Sequence, residues 1–340
     1  MPVLSHVQKK LLRRSSLPKL WNAFLLFSSY HISRLTGSNL HRGNPLSLAI
    51  EPTTACNLRC PECPSGLRSF TRPTGNLKKH DFTSLIDEIS RFSSYLTFYF
   101  QGEPYLNPDF LEMVRYASEK GMVTSTSTNA HFLDDEMAKK TVESGLDRLI
   151  VSIDGTDQET YQSYRVEGEL QKVMEGAKNV VRWKQELKSS NPEIVFQFLV
   201  VRPNEHQVEE VKHLAEIMNV DKVVLKTAQI YDFEKGSPLI PENDKYSRYK
   251  KNSDGTWSIK NELANQCWRM WSSCVITWDG DVVPCCFDKD ASHKLGNTFS
   301  RPFSEIWKSQ PYNNFRKAIL KGRDQIDICR NCSEGTKVWA

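Results

Sequence analysis

The run Leu46-Ser-Leu-Ala-Ile50 leads directly into Glu51-Pro-Thr-Thr-Ala-Cys-Asn-Leu-Arg-Cys-Pro-Glu-Cys-Pro64. An apolar strand signal thus delivers Cys56, Cys60 and Cys63, spaced C-x3-C-x2-C, onto one short loop. Three thiolates so placed can ligate three irons of a [4Fe–4S] cluster and leave the fourth iron open to a small molecule. A structural zinc site usually takes a fourth protein ligand and closes. No fourth Cys or close His follows within the loop, and His80 is far along the chain. The competing readings are a zinc knuckle or three unrelated buried thiols.

Working outward, the chain alternates strand and helix signals from about residue 45. Strands read at Leu46–Ile50, Tyr95–Phe100, Met122–Thr128, Arg148–Ile153, Ile194–Val200 and Lys222–Leu225. Helices read near Phe82–Arg91, Asp109–Glu119, Asp134–Ser144, Leu170–Leu187 and Val208–Met218. Strands separated by helices imply parallel βαβ units. A barrel and a doubly wound sheet both satisfy the pattern, and in either the chemistry lies where strands end.

The cysteine loop resembles the cluster loop of radical S-adenosylmethionine (radical SAM) enzymes, and later strand ends extend the resemblance. Gln101-Gly-Glu-Pro104 is similar to the family's GGE motif. There a carboxylate such as Glu103 pairs with the methionyl ammonium of SAM, and Gly102 allows close backbone approach. Gln101 departs from the pattern's first glycine. Thr126-Ser-Thr-Asn-Ala130 is similar to the family's Thr-Asn-Gly turn, and Ser152-Ile-Asp-Gly155 follows the fourth strand. By resemblance, a Ser or Asp at this level, here Ser152, reaches the SAM ribose and Arg165 pairs with the SAM carboxylate. A Ser-x-Asp-Gly taken alone is a plain turn. Glu62 stands where many members carry an aromatic residue that packs near adenine.

A second cysteine set closes the chain. Cys267, twelve residues, Gly280, four residues and Cys285 are followed much later by Cys329-Arg-Asn-Cys332. This resembles the SPASM or shorter "twitch" extension, which binds auxiliary clusters. Trp278-Asp-Gly-Asp-Val-Val-Pro-Cys285 reads as its hairpin. Four ligands, Cys267, Cys285, Cys329 and Cys332, suffice for one auxiliary [4Fe–4S] cluster. Adjacent residues of an extended chain point to opposite faces, and the glycine spacing selects Cys285 over Cys286. Cys274 reads as a buried thiol. Replacement of a named ligand by Cys274 or Cys286 stays open, as does a structural zinc ribbon.

Composition fits a soluble globular enzyme: 340 residues, 39% hydrophobic and 25% charged. Nine cysteines, seven of them in metal-site patterns, argue for a reducing compartment and against a secreted disulfide framework. Residues 1–50 hold Lys9, Lys10, Arg13, Arg14, Lys19, Arg34 and Arg42 and no acid. That segment is +7; the whole chain is +4, so the rest is −3. Apolar residues run through it, with Pro18 marking a break or a fresh helix start. Leu20–Phe27 is too short to span a bilayer. Two readings stand: a basic amphipathic helix on an anionic membrane, or an arm packed on the main domain or on an acidic partner. Elsewhere bases alternate with acids, which argues against a nucleic-acid groove. No Walker loop, dinucleotide fingerprint or Ser-His-Asp order stands out.

The expectation is a radical SAM enzyme of α/β class: a partial (β/α)6 TIM-like barrel with a small C-terminal SPASM/twitch Fe–S domain. Residues 1–44 form the basic helical segment, 45–230 the radical SAM core, 231–265 a linker and 266–340 the auxiliary-cluster domain. Cys56, Cys60 and Cys63 would hold the first cluster, and Gly102, Glu103, Ser152 and Arg165 would hold SAM. The family chemistry makes a 5′-deoxyadenosyl radical that abstracts hydrogen, with a flavodoxin or ferredoxin as electron donor. A small or lipid-linked metabolite is favoured as substrate, in the cytoplasm or peripherally at the inner membrane face. A peptide-modifying enzyme and a non-enzymatic Fe–S scaffold are the alternatives. The catalytic acid or base and the substrate are not legible.

Overall fold

The chain's two cysteine-bearing halves meet at one strand, β1, in a computed structural model that describes residues 5–260 and 263–332. The outer ends of the terminal segments, residues 1–4 and 333–340, lie outside the described residues. The strands are β1 (Ser47–Ile50), β2 (Tyr95–Thr97), β3 (Val123–Thr128), β4 (Arg148–Ser152), β5 (Glu193–Val200), β6 (Lys222–Thr227), β7 (Tyr249–Lys251), β8 (Trp257–Ile259), β9 (Ser273–Ile276), β10 (Asp281–Val283) and β11 (Gly296–Asn297). The helices are α1 (His6–Arg13), α2 (Leu17–Thr36), α3 (Pro64–Leu67), α4 (Lys79–Ile89), α5 (Phe110–Glu119), α6 (Asp135–Glu143), α7 (Gln158–Tyr164), α8 (Leu170–Glu186), α9 (Val208–Ile217), α10 (Trp268–Ser272), α11 (Phe303–Trp307) and α12 (Gln310–Gly322).

Strands β1 to β6 lie side by side in chain order, all parallel. A doubly wound sheet would reverse its order at a switch point; the monotonic order is that of a partial barrel. Side chains alternate across each strand. Leu48, Leu96, Leu149, Ile194, Phe196 and Phe198 turn outward and are fully or nearly fully buried in the main core with residues of the crossover helices, such as Phe82, Met113 and Val173. The other parity faces inward: Ala49, Thr97, Ser125, Arg148, Gln197 and Val224 line an open interior. Small and polar residues at these positions leave room that a Leu-lined barrel would fill.

The C-terminal region extends this same sheet. β9 pairs parallel with β1 over Ser47–Ile50, and β10 and β11 continue antiparallel, giving nine strands in one sheet. The expected hairpin is β9–β10, turning at Gly280 with φ +84°, a conformation that favours glycine. The stretch read as a linker carries the β7–β8 hairpin, with Phe233, Arg248 and Tyr249 buried.

The N-terminal segment is two helices. Pro18 is the second residue of α2, where its missing N–H costs nothing. α1 docks through the fully buried Asp147, whose carboxylate accepts from Lys10 Nζ (2.5 Å), Arg14 Nη1 (2.7 Å) and the Thr124 amide (2.9 Å). α2 is turned inside out. Its buried face is largely polar: Lys19, Asn22, Leu26, Ser29 and Ser33. Asn22 exchanges two hydrogen bonds with the Asn44 backbone, Ser29 donates to the Arg42 carbonyl, and Ser33 accepts from the Leu40 amide. The returning chain thus satisfies the polar face. Leu17 (82% exposed), Leu20, Trp21 (61%), Phe24 (57%), Phe27 and Leu35 face outward. No helix among the described residues is long and apolar enough to cross a membrane.

Asp147→Ala removes the carboxylate shared by Lys10 and Arg14 and should destabilise the fold by about 3–5 kcal/mol, the range for breaking a buried pair. Urea unfolding followed by circular dichroism measures this; an unchanged midpoint would mean that α1 is not docked on the barrel.

Candidate functional site

The three thiols of the loop after β1 and the predicted residues at later strand ends line one cavity. Its 160 Å³ is bounded by Cys56, Cys60 and Cys63 together with Gly102, Glu103, Ser152 and Arg165. The strand ends are locked to the loop. The Glu103 amide donates to the Ala55 carbonyl at 2.7 Å and the Gly102 amide to Ser65 Oγ at 2.9 Å. Gly102 has φ +75°, and a Cβ there would stand 2.3 Å from the Thr53 carbonyl oxygen. Only glycine lets this turn press against the loop.

Glu103 is 2% exposed and accepts from the Asn129 amide and Thr128 Oγ1, both at 2.7 Å. Burial pushes its carboxyl up to about 7, against the pull of those hydrogen bonds and of Arg165. A carboxylate has about four acceptor sites, so capacity remains toward the cavity. Arg165 lies between charges: its Nε donates to Asp154 Oδ2 at 2.5 Å, and Nη1 stands 3.8 Å from Cys60 Sγ. Asp154 is fully buried and also accepts the Leu199 amide at 2.7 Å. Ser152 Oγ lies 3.4 Å from Ser127 Oγ. Gln101, at the departure from the motif, lies 3.7 Å from Cys63 Sγ through its side-chain oxygen.

The second cysteine set also converges. Cys267 and Cys332 are close enough to Cys285 to raise its thiol pKa further, beyond the larger effect of burial and that of adjacent Cys286. The buried Arg323 guanidinium senses Cys267, Cys332 and Cys329 and donates to Cys332 Sγ at 3.2 Å. Cys274 is buried on β9 beside Tyr312 and Arg316. Among the described residues no three Cys, His, Asp or Glu side chains close on a single metal ion. Each set gathers three or four thiols, the donor chemistry that an iron–sulfur cluster takes.

Between them lies the barrel interior, a cavity of 780 Å³. Tyr99, Tyr164 and Leu199 line this cavity and the first one, and Cys285 and Cys286 line the larger one as well. Six basic side chains face it, Arg148, Lys222, Lys226, Arg248, Arg269 and Lys289, against one acid, Glu62. Arg148 is paired with Glu193 at 2.6 Å. Desolvation lowers the pKa of Lys226, which also feels Arg269 and Arg248; desolvation likewise lowers Lys289 and Arg248. Arg248 is 8% exposed, and its Nε has no hydrogen-bond partner among the described residues.

Sequence reasoning placed Asp154 in the Ser152–Gly155 segment but missed its pairing with Arg165, and it missed the cation set. Lys222, Val224 and Lys226 alternate on one face of β6, and that parity was a usable signal. Arg248 and Lys289 come from two separate loops and Arg269 from the short helix α10, and they gave none.

The radical SAM superfamily profile matches residues 50–215, and the profile of the SPASM iron–sulfur cluster-binding domain matches residues 267–333. The chain is 32% identical over 330 residues to the AdoMet-dependent heme synthase of Methanosarcina barkeri, covering 85% of this chain and 91% of that protein. It is 27% identical over 323 residues to the tungsten-containing aldehyde ferredoxin oxidoreductase cofactor-modifying protein of Pyrococcus furiosus, covering 84% and 86%. The solved structure of SuiB of Streptococcus suis bound to S-adenosylmethionine shares the fold, with a TM-score of 0.64 and 15% identity over 90% of this chain and 76% of that one.

Glu103 sets a pH dependence. Its folded pKa, about 7, exceeds the ordinary 4.5, so the fold favours the neutral acid. The penalty is absent below the unfolded value and grows as pH rises from 4.5 to 7. Metal-free protein should lose stability on the order of 3 kcal/mol across that window. Glu103→Gln should flatten the profile in urea titrations at stepped pH; parallel profiles for the two proteins would mean that Glu103 ionises normally.

Proposed function

The chain belongs to the radical SAM superfamily and carries a C-terminal SPASM iron–sulfur domain, and from that premise we propose that it removes a hydrogen atom from a small or lipid-linked metabolite and oxidises or rearranges it with one auxiliary cluster. Its cofactors are SAM and [4Fe–4S] clusters. When bound and reduced, they supply a 5′-deoxyadenosyl radical. The observation that carries the reading is the shared wall of Tyr99, Tyr164 and Leu199 between the thiol-lined cavity and the barrel interior.

Cys56, Cys60 and Cys63 would hold the first cluster. Glu103 would meet the methionyl ammonium of SAM, Arg165 its carboxylate and Ser152 its ribose, with Gly102 allowing close approach. Asp154 is a positioning residue that fixes the Arg165 fork by a charge-assisted bond. Cys267, Cys285, Cys329 and Cys332 would hold the auxiliary cluster, with Arg323 offsetting their negative charge. The barrel interior between the two sets would take the substrate, and its excess of bases favours an anionic one. The heme synthase and the cofactor-modifying protein act, by their names, on non-peptide molecules, which supports a small metabolite. A flavodoxin- or ferredoxin-type donor would supply the reducing electron, and residues 1–44 would keep the enzyme at a membrane surface.

Anaerobically reconstituted protein should hold about eight irons, as two [4Fe–4S] units. Replacing Cys56, Cys60 and Cys63 with Ala should remove half of them; zinc in their place after anaerobic purification would overturn both cluster assignments. With dithionite and SAM the intact protein should release 5′-deoxyadenosine. Arg165→Ala should weaken SAM binding by about 1.5–3 kcal/mol, measured by equilibrium dialysis, and Asp154→Asn should weaken it less. Undiminished affinity in Arg165→Ala would remove that residue from the SAM site.

A further inference from the structure

The inside-out helix α2 and the cation-lined barrel interior adjoin each other. The outward face of α2 is a stripe of Leu17, Leu20, Trp21, Phe24, Phe27 and Leu35. At 100° per residue these positions fall on one side of the helix, and the buried Lys19, Asn22, Leu26, Ser29 and Ser33 fall on the other. A stripe of this kind on a folded surface marks an interaction site. Its surroundings are basic: Lys9, Arg13, Arg34 and Arg42 are exposed, and residues 1–50 contain no acid. Apolar side chains between unopposed bases complement an anionic bilayer surface.

The link to the interior is Trp268 of α10. Its ring packs edge-on against Phe27 of the stripe (centroids 6.3 Å apart) and against Tyr30 (5.1 Å). The same ring lines the barrel cavity. Beyond it stand Lys226, Arg248 and Lys289. Neither Lys226 nor Lys289 has a carboxylate partner within ion-pair distance among the described residues, and the Arg248 Nε is buried without a partner.

We propose that α2 seats the enzyme on an anionic membrane and that the barrel takes the oxyanion head group, phosphate or carboxylate, of an amphiphile drawn from that membrane past Trp268. This rests on the functional reading above and narrows its substrate from a small or lipid-linked metabolite to a membrane-resident anionic one. The stripe supplies the interface for the apolar tail. Lys226, Arg248 and Lys289 supply donors to the head group.

Two measurements on the full-length protein test it. In the first, vesicles of phosphatidylcholine alone and of phosphatidylcholine mixed with phosphatidylglycerol are floated with the protein. Binding should require phosphatidylglycerol and weaken as salt rises. Trp21→Glu with Phe24→Glu should abolish it, since both residues are exposed and the fold does not depend on them. No flotation of the unaltered protein at low salt overturns the membrane seat. A dimer that the double variant abolishes, with no vesicle binding, would make the stripe a subunit interface. In the second, octyl phosphate, octanoate, inorganic phosphate and the uncharged octyl glucoside are titrated calorimetrically below micelle formation. Octyl phosphate or octanoate should bind more tightly than inorganic phosphate and octyl glucoside. Lys226→Gln should weaken that binding about tenfold, the loss of one charge-assisted hydrogen bond. Inorganic phosphate binding as tightly as octyl phosphate would make the ligand a free anion, and octyl glucoside binding equally well would make the cavity merely apolar. Either result overturns the amphiphile while leaving SAM cleavage, the test of the broader function, untouched.

Discussion

The ion pair between Glu51 and Arg72 holds the two halves of the site in register. Glu51 is the first residue after β1 and is fully buried, with Arg72 closing on it through two hydrogen bonds of 2.8 and 2.6 Å. Glu51 also accepts the Trp278 amide at 3.3 Å, and Arg72 Nε donates to the Lys289 carbonyl at 3.2 Å. One carboxylate therefore ties the strand that launches the first cysteine loop to the hairpin that delivers Cys285. Burial pushes its pKa up, and the paired guanidinium opposes that shift. A buried pair of this kind is weak evidence for stability and better evidence for a fixed arrangement. Gly75 belongs to the same clamp, since a Cβ there would stand 2.7 Å from the Trp278 ring. The parallel β1–β9 ladder runs beside this pair and makes one sheet of what the sequence presents as two domains.

That continuity places a polar cavity between two sets of thiols. The barrel interior stays open because much of its inward parity is small or polar, Ser47, Ala49, Thr97, Ser125 and Gln197 beside the bases Arg148, Lys222 and Lys226, while the outward parity is largely Leu, Ile and Phe. Charge accumulates where the volume is free. Desolvation depresses the proton affinity of Lys226, and repulsion from the neighbouring bases Arg269 and Arg248 depresses it further. An anionic ligand relieves that repulsion and gains by it, because the same low dielectric strengthens the attraction.

The N-terminal helices divide two tasks that their composition runs together. The bases Lys10 and Arg14 of this segment are spent on Asp147 beneath the barrel, so its charge is partly structural. Lys9, Arg13, Arg34 and Arg42 remain exposed. In α2 the returning chain from Leu40 to Asn44 satisfies the polar side chains, which frees the helix to present its apolar face outward without burying an unmet hydrogen-bonding group. The packing-arm reading thus describes α1 and the buried face of α2, and the outward face is the part that the membrane proposal concerns.

The sequence by itself determined the local chemistry. The C-x3-C-x2-C loop after an apolar strand, the Gly102–Glu103 turn and the alternation of helix with strand are encoded within a few residues, so spacing alone exposes them. The six core strands and five helices lie where periodicity placed them, with ends shifted by one to three residues where fraying or capping decides. The pairing of Asp154 with Arg165 was not legible because a helix separates the two in the chain. The cation set, the β1–β9 ladder and the outward face of α2 were decided only in the folded chain. Each depends on contacts between segments far apart in sequence: a strand pairs with whichever edge is free, and an amphipathic helix reveals which side it buries only when its neighbour is in place.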